Sequence, residues 1–379
     1  MRKPARVGLI TTLDTNIGDD FIREGVKRVV AAALDGREIE WVMVNKHHPL
    51  TVYPGWHPVR LAERLPRGRG KAQRLARTLL HPLPLSRFDG CELVVQCGAP
   101  VLWPGCHGSE WAEPLWREVV GRLAARGVPV LNLAAGSCYP WESPAERIDD
   151  AADVEYVRRA LADCRLTTSR DTLAHRLYAS VGGDTPLVRC TAFVAPRGQA
   201  TDRDERLVLV NYMAGAGHYD WGQGVDGGGW EATMKTVLER LKERHRVAFL
   251  CHTQAEYDLA GGLDPSLPRI LPRTPREYFE VAARAAGAVC NRLHASVAMA
   301  GMGIPSVAIG TDTRLLMVEQ VGIPALYVKE ATAERVLHEL DAGMARAGQT
   351  RDRLLAASDE TWDAYVTAIR GAIGPRAAA

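Results

Sequence analysis

The sequence predicts an α/β protein built of two Rossmann-like domains that face each other across a cleft. Short β-branched runs alternate with apolar-periodic helical patterns along most of the chain, as parallel sheets with right-handed crossovers require. This alternation occurs as two consecutive series. The length, 379 residues, also exceeds the roughly 250–300 residues that one core usually holds.

The first series opens with ARVGLITT as a strand, the polar loop LDTNIGDD, and the helix FIREGVKRVVAAAL. EIEWVMVN, CELVVQC, PVLNLAA and CRLTTS read as further strands, and AEPLWREVVGRLAARG as a helix that Gly127 should stop. The second series runs through the strand RLVLVNYM, the helix WEATMKTVLERLKERH and the strand RVAFLCH. Thr274-Pro275-Arg276-Glu277 has the spacing of a capping box with Pro at the first helical position. GAVCN, LHASVAMAGMG and IPSVAIG then read as strand, small-residue helix and strand. The periodicity breaks near residues 185–205, which places an N-terminal domain over 1–190 and a C-terminal domain over 191–355. The terminal segment, 356–379, reads as a helix able to pack back on the first domain.

Composition narrows the function classes. With 47 basic and 45 acidic residues the net charge is +2, too small for a whole-molecule field directed at nucleic acid. No apolar run reaches the ~18 residues of a membrane span, and the first apolar run is short for a signal peptide, so the cytoplasm is the expected compartment. The eight cysteines are scattered without a CxxC pair, and Cys97, Cys106 and His107 fit no usual zinc spacing; no metal or cofactor is expected. Residues 57–87 form a basic, Pro- and Gly-interrupted excursion. It is either a solvated surface segment or a patch for an anionic acceptor or membrane surface.

The strongest chemical constellation is Asn291-Arg292-Leu293-His294-Ala295, at the carboxyl end of GAVCN and the start of a helix. Ligands of open α/β sheets bind at that edge, near the positive amino ends of helices. Arg292 there can grip a carboxylate or phosphate, and His294 can move a proton near neutral pH. In LDTNIGDD, Asp19 or Asp20 is placed to cap the next helix, while Asn16 and Asp19 could instead orient an acceptor hydroxyl, with Asp19 as candidate base. Arg170 is either a second anion clamp or the partner of Asp171. The Gly-rich run GAGHYDWGQGVDGGGW offers His218, Tyr219 and Trp221 to a sugar if it borders the cleft. His252 also follows a strand, and His47-His48 reads as a loop pair.

NRLHASVAMAGMGIPSVAIGTDTRLLMVEQVGIP resembles the diagnostic segment of the polysaccharide pyruvyl transferase family, an R-x-H-A turn, a small-residue helix, G-x-P, a strand, then an Asp and a basic residue. These fall on Arg292, His294, Ala295, Gly303, Pro305, Asp312 and Arg314, the last commonly Lys in the family. Asn16-Ile17-Gly18-Asp19 resembles the family's N-x-G-D loop, and SRDTLAHRLYASVGG its R-D segment, giving Arg170 and Asp171. Two places depart from the pattern. Cys97-Gly98-Ala99-Pro100 stands for a Gly-rich turn, and Arg189-Cys190-Thr191 for a Pro-Asp pair, which bears on the acceptor more than the donor.

The resemblance implies a GT-B-like architecture, phosphoenolpyruvate as donor, phosphate as product, and a pyruvate ketal on a saccharide or related acceptor. Arg292 and Arg170 would then hold the carboxylate and phosphate of the donor, Arg314 would contact substrate, and His294 would act as general acid or as a neutral hydrogen-bond donor. Asp19 would serve as the acceptor base, while Asn16 and His218 contact substrate. Two other readings stand beside it: a GT-B glycosyltransferase with a nucleotide-sugar donor, and a non-catalytic binding protein on the same scaffold.

Overall fold

The computed structural model describes residues 3–63, 86–109, 111–112 and 114–374. Most of the basic excursion expected over 57–87 therefore lies outside the described residues.

The first half contains β1 (Ala5–Thr11), α1 (Ile17–Ala33), β2 (Ile39–Asn45), α2 (Pro58–Glu63), β3 (Leu93–Cys97) and β4 (Pro100–Leu102). It continues with α3 (Gly121–Ala125), β5 (Val130–Ser137), α4 (Ala151–Asp163), β6 (Leu166–Ser169) and α5 (Thr172–Ser180). These strands form a parallel sheet in the order β2-β1-β3-β5, with both β4 and β6 paired to β5. The second half contains β7 (Leu207–Asn211), α6 (Gly227–Lys242), β8 (Arg246–Leu250), α7 (Gln254–Leu263), β9 (Arg269–Ile270) and α8 (Pro275–Ala282). It ends with β10 (Gly287–Cys290), α9 (Leu293–Gly301), β11 (Ser306–Gly310), α10 (Leu315–Gln320), β12 (Ala325–Tyr327), α11 (Ala333–Ala345) and α12 (Ala347–Ile373). Its sheet is parallel throughout, in the order β12-β11-β10-β7-β8-β9.

Strand order places the ligand edges. In the second sheet the order reverses between β7 and β10, the neighbours at the doubly wound switch point, and in the first between β1 and β3. Crevices open at the carboxyl ends of such strand pairs. The strands that border them are buried on both faces, which explains why LVVQC, LVLVN and GAVC read as continuous apolar runs rather than alternating ones.

Helix starts differ from expectation at one important place. The helix expected from Phe21 begins at Ile17, and its cap is Asn16, whose side-chain oxygen accepts from Gly18 N at 2.8 Å. Neither Asp19 nor Asp20 caps it. An Asn two residues ahead of a flexible Gly closes an Asx turn, which competes well with a later carboxylate cap. Thr274 does cap α8, accepting from Glu277 N at 3.2 Å, while Glu277 reaches back to Arg273 N. Gly127 ends α3's turn at φ +75°.

The halves are joined by close packing. Phe21 of α1 lies among His252, Tyr278 and Phe279 of the second half, with ring centroids 5.6, 4.7 and 5.0 Å away. The connecting turn Thr191–Phe193 runs between α1 and α9, and each helix offers it a glycine. A Cβ on Gly25 would stand 1.9 Å from the Thr191 carbonyl oxygen, and one on Gly301 2.1 Å from that of Phe193. α12 then returns across the first half, where Tyr365 donates to the Arg189 carbonyl at 2.9 Å and Arg370 to that of Ala32 at 3.2 Å. Backbone cannot yield as a flexible side chain can, so Gly25→Ala should lower stability by about 3 kcal/mol. A denaturant-unfolding midpoint equal to wild type would show that the turn relaxes instead.

Candidate functional site

The two strand-end crevices merge into one cleft of about 310 Å³. From the first half it is lined by Thr12, Thr15, Asn16, Gly18, Asp19, Lys46 and His47, which follow β1 and β2. From the second half come Met213, Gly217, His218 and Tyr219 after β7, His252 after β8, Asn291 to His294 after β10, and Gly310 to Asp312 with Arg314 after β11. Asn16, Asp19, His218, Arg292, His294 and Arg314 are thus brought together. Arg170 is not on the cleft wall.

The α9 amino end is shaped by two strand-end asparagines. Asn211 accepts from Arg292 N at 2.7 Å, and Asn291 accepts from Met213 N at 3.0 Å, which ties β7 and β10 together at their switch point. Arg292 is pinned by a buried carboxylate absent from the sequence expectations. Its Nε and Nη2 lie 2.7 and 2.6 Å from Glu256 Oε1. Glu256 also accepts from Asn211 Nδ2 and from the His252 backbone N–H, both at 2.9 Å. Burial alone would raise its carboxyl pKa, but His252, Arg292 and these donors outweigh burial and hold it below the usual range. Arg314 is held likewise by Asp312, with Nε–Oδ1 at 2.8 Å and Nη2–Oδ2 at 2.6 Å. In both guanidiniums the edge with Nε is occupied, and Nη1 is left for a ligand. The Arg314 guanidinium also lies 5.0 Å from the Tyr219 ring centre.

Arg170 follows β6 and is fully buried. It does not pair with Asp171, whose carboxylate instead caps α5 by accepting from Ala174 N, and also accepts from Ser137 N and Oγ. A bulge in β5, where Ala134 has φ +56°, passes Gly136 against the guanidinium. A Cβ there would stand 2.4 Å from Arg170 Nε. Nη1 approaches His294 Nε2 at 3.3 Å, whereas Nε and Nη2 have no hydrogen-bond partner among the described residues.

That contact fixes the state of His294. Guanidinium only donates, so Nε2 must accept, and the imidazole proton sits on Nδ1. Burial, then Arg170, Arg314, His252 and Arg292, push the His294 pKa well below its ordinary value. His294 is therefore a neutral N–H donor near neutral pH. Of the two roles expected for His294, general acid or neutral donor, this state agrees with the second, because burial first and then the surrounding cations disfavour an imidazolium. Gly18 matters to the same contact, since a Cβ on it would lie 3.3 Å from both His294 Cβ and His252 Nδ1.

On the first-half wall, Asp19 Oδ2 accepts from Thr15 Oγ1 at 3.0 Å and Asn16 Nδ2 at 2.7 Å. Beside it stands Lys46, just past β2, which sequence reasoning passed over for His47-His48. Its side chain is nearly buried and its ammonium lies 5.3 Å from the Trp111 ring centre. Burial, against Asp19 and with Arg170, lowers its pKa to about 8. A strand-end lysine after an apolar run was the available signal. Thr253-Gln254-Ala255-Glu256 has capping-box spacing after a strand, which marks Glu256 as a helix-start residue but not as the partner of Arg292.

Cys97, Cys106 and His107 do not converge as metal ligands. Cys106 Sγ and the His107 N–H and Nδ1 all approach Asp153 Oδ1, at 3.3, 2.9 and 2.7 Å, and Gly105 N donates to its other oxygen. That carboxylate anchors a loop.

The sequence model described as polysaccharide pyruvyl transferase matches residues 16–313, from Asn16 in the first half to Thr313 in the second. The chain belongs to this family. The match spans both walls of the cleft and ends one residue before Arg314. No curated protein matches this family member's sequence. Among solved structures, UDP-GlcNAc 2-epimerase from Neisseria meningitidis bound to UDP-GlcNAc superposes with a TM-score of 0.52 at 9% identity, covering 96% of this chain and 100% of that one. The S. aureus MnaA structure with UDP gives 0.52 at 11% identity and covers 94% of each chain. At such identity the likeness establishes the fold, which is GT-B-like. Among the described residues no helix is long and apolar enough to cross a membrane.

His252 allows a pH test of the site's stability. It packs edge-on to Phe21 and Tyr278, neither ring nitrogen has a hydrogen bond, and burial lowers its pKa to about 4. The unfolded chain takes up this proton near pH 6.5 and the folded chain does not. Stability is therefore present above about pH 6.5 and falls as pH drops towards 4, by on the order of 3 kcal/mol from His252 alone. In His252→Phe the acid loss of stability between pH 6.5 and 4 should be smaller than in wild type. Equal pH slopes for the two proteins would place the acid sensitivity elsewhere.

Proposed function

We propose that this pyruvyl transferase family member moves a pyruvyl group from phosphoenolpyruvate to a saccharide hydroxyl pair, releasing phosphate and forming a ketal. The observation that carries the reading is the convergence, at the strand ends of the second sheet on one wall of the cleft, of carboxylate-pinned Arg292 and Arg314 with the His294 N–H. Family membership makes it a transferase acting on polysaccharide. The donor, the ketal and the residue roles are the proposal.

The geometry suits an anion with two negative ends. Arg292 and Arg314 offer Nη1 groups whose orientation is set in advance by Glu256 and Asp312, so little rotamer freedom is lost on binding. His294 Nδ1–H, polarised by Arg170 behind it, adds a neutral donor. Such fixed donors stabilise the charge that gathers on the departing phosphate oxygen. Two hydroxyl oxygens add to C2 of the donor and the C2–O bond to phosphate breaks with its electron pair. Of the two hydroxyl protons displaced, one is balanced by the proton gained at C3 and the other leaves with phosphate. Asn16 and Asp19, on the opposite wall, are placed to orient the acceptor.

Calorimetric titration with phosphoenolpyruvate and, separately, UDP-GlcNAc tests this. Phosphoenolpyruvate alone should give heat, and Arg292→Lys should weaken its binding at least about tenfold, because an ammonium keeps the charge but not the fork. Heat with the nucleotide sugar and none with phosphoenolpyruvate would replace the reading with that of a nucleotide-sugar enzyme.

A further inference from the structure

We propose that Lys46, rather than Asp19, takes the proton from the attacking acceptor hydroxyl. The inference rests on the pyruvyl-transfer reading and assigns the acceptor half of the cleft.

Charge pairing in the cleft sets Lys46 apart from its neighbours. Arg292 and Arg314 are each spoken for by a buried carboxylate. Arg170 lies behind His294 and off the wall. Lys46 alone combines a nearly buried side chain, a place on the cleft wall, and no ion pair among the described residues. Its ammonium faces Asp19 of α1, Arg170 beyond β6, the Cys97 thiol at the end of β3, its neighbour His47, and the Trp111 ring. An aromatic face stabilises a cation less than a carboxylate in contact would, so the neutral amine is within reach at pH 7 to 8.

Asp19 is less suited to the same task. Its Oδ2 already accepts two hydrogen bonds, and Asn16, one of the donors, is also the α1 cap and cannot turn away without freeing the Gly18 N–H. That arrangement fits a carboxylate that orients a hydroxyl. His47, next to Lys46, packs edge-on to Trp111, and Trp111 contacts Trp103, with ring centroids 5.6 and 5.5 Å apart. Across the cleft stand His218 and Tyr219. The cleft-lining rings, His47 on one side and His218 and Tyr219 on the other, suit contact with a sugar ring.

In the step itself, C3 takes a proton from water as the C2=C3 double bond opens, the hydroxyl oxygen bonds to C2, and its proton passes to neutral Nζ. The ammonium formed returns that proton to the hydroxide left by the water, so the enzyme is unchanged. The second hydroxyl then replaces phosphate on C2, whose C–O bond breaks with its electron pair, and its proton leaves with phosphate. A base placed in this way contributes about 100-fold or more to the rate.

The test measures incorporation of the pyruvyl group from phosphoenolpyruvate into a panel of methyl hexopyranosides across pH 6 to 10, with calorimetric phosphoenolpyruvate binding in parallel. Wild-type kcat/KM should rise with pH to a plateau above about 8. Lys46→Arg, which keeps the cation over Trp111 but cannot give up its proton, should bind phosphoenolpyruvate as wild type does and lose at least about 100-fold in turnover. A wild-type profile flat through pH 8 overturns the inference even if the variant misfolds. Lys46→Arg with wild-type turnover also overturns it and makes Lys46 an anion-holding group. Wild-type protein that binds phosphoenolpyruvate but transfers pyruvyl to no panel member overturns it for this acceptor class. Failure to bind phosphoenolpyruvate at all overturns the parent reading instead.

Discussion

The contact between Arg170 and His294 is the constraint around which the cleft is organised. It joins residues 124 positions apart, one beyond β6 of the first sheet and one in α9 of the second. Leaving guanidinium N–H groups buried without acceptors costs free energy, several kcal/mol for an ion in a dry site. Its surroundings are built to hold it: Gly136 clears its face, and the β5 bulge bends that strand past it. Asp171, next in the chain, is turned away to cap α5 and hold Ser137. Had Asp171 paired with Arg170, the positive potential behind His294 would be largely cancelled.

The same constraint explains how charge is divided over the cleft. The proposed donor, with its carboxylate and phosphate, calls for positive potential, yet several bare cations packed together would repel one another. Arg292 and Arg314 avoid this by sharing a carboxylate edge each, which spends part of their charge and in return fixes their direction. Arg170 keeps its charge unpaired but is screened from the cleft by the His294 ring. Lys46, buried and without an ion pair among the described residues, becomes easier to deprotonate, and Arg170 adds a smaller push in the same direction. Burial is the larger cause of both the neutral histidine and the weakened lysine, and the same buried cation adds to each.

The fold and the ligand edge were largely legible in the sequence because strand ends are local signals. GAVCN followed by Arg292 and His294, and ARVGLITT followed by Asn16 and Asp19, mark residues that parallel sheets carry to one edge. Their neighbours in space were not legible. Glu256 meets Arg292 only because β8 lies two strands from β10 in the sheet, with β7 between them, and no spacing in the sequence encodes that order. Lys46 depends on β2 lying outermost in the first sheet with its end turned towards Trp111. Asn16-x-Gly reads equally as a cap and as an acceptor site, and the backbone adopts the cap while Asp19 stays on the cleft wall.

Close approach of α1 to α9 is what lets two separately folded sheets share one reaction site. At Gly18 the helix start comes near enough to His294 and His252 that a methyl group would press on both. A few residues farther along, Phe21 sinks into the His252–Tyr278–Phe279 cluster, so the position of Asn16 and Asp19 is set by apolar packing in the other half. Antiparallel bridging of Pro140 with Asp312, and the Thr313 N–H donating to Tyr139 O at 3.0 Å, tie the halves again beside Arg314. With both sides of the cleft fastened, acceptor and donor groups hold their spacing before any substrate arrives. Preorganisation of this kind favours a reaction whose difficulty lies in bringing a weak nucleophile to a crowded carbon rather than in breaking an unusually strong bond.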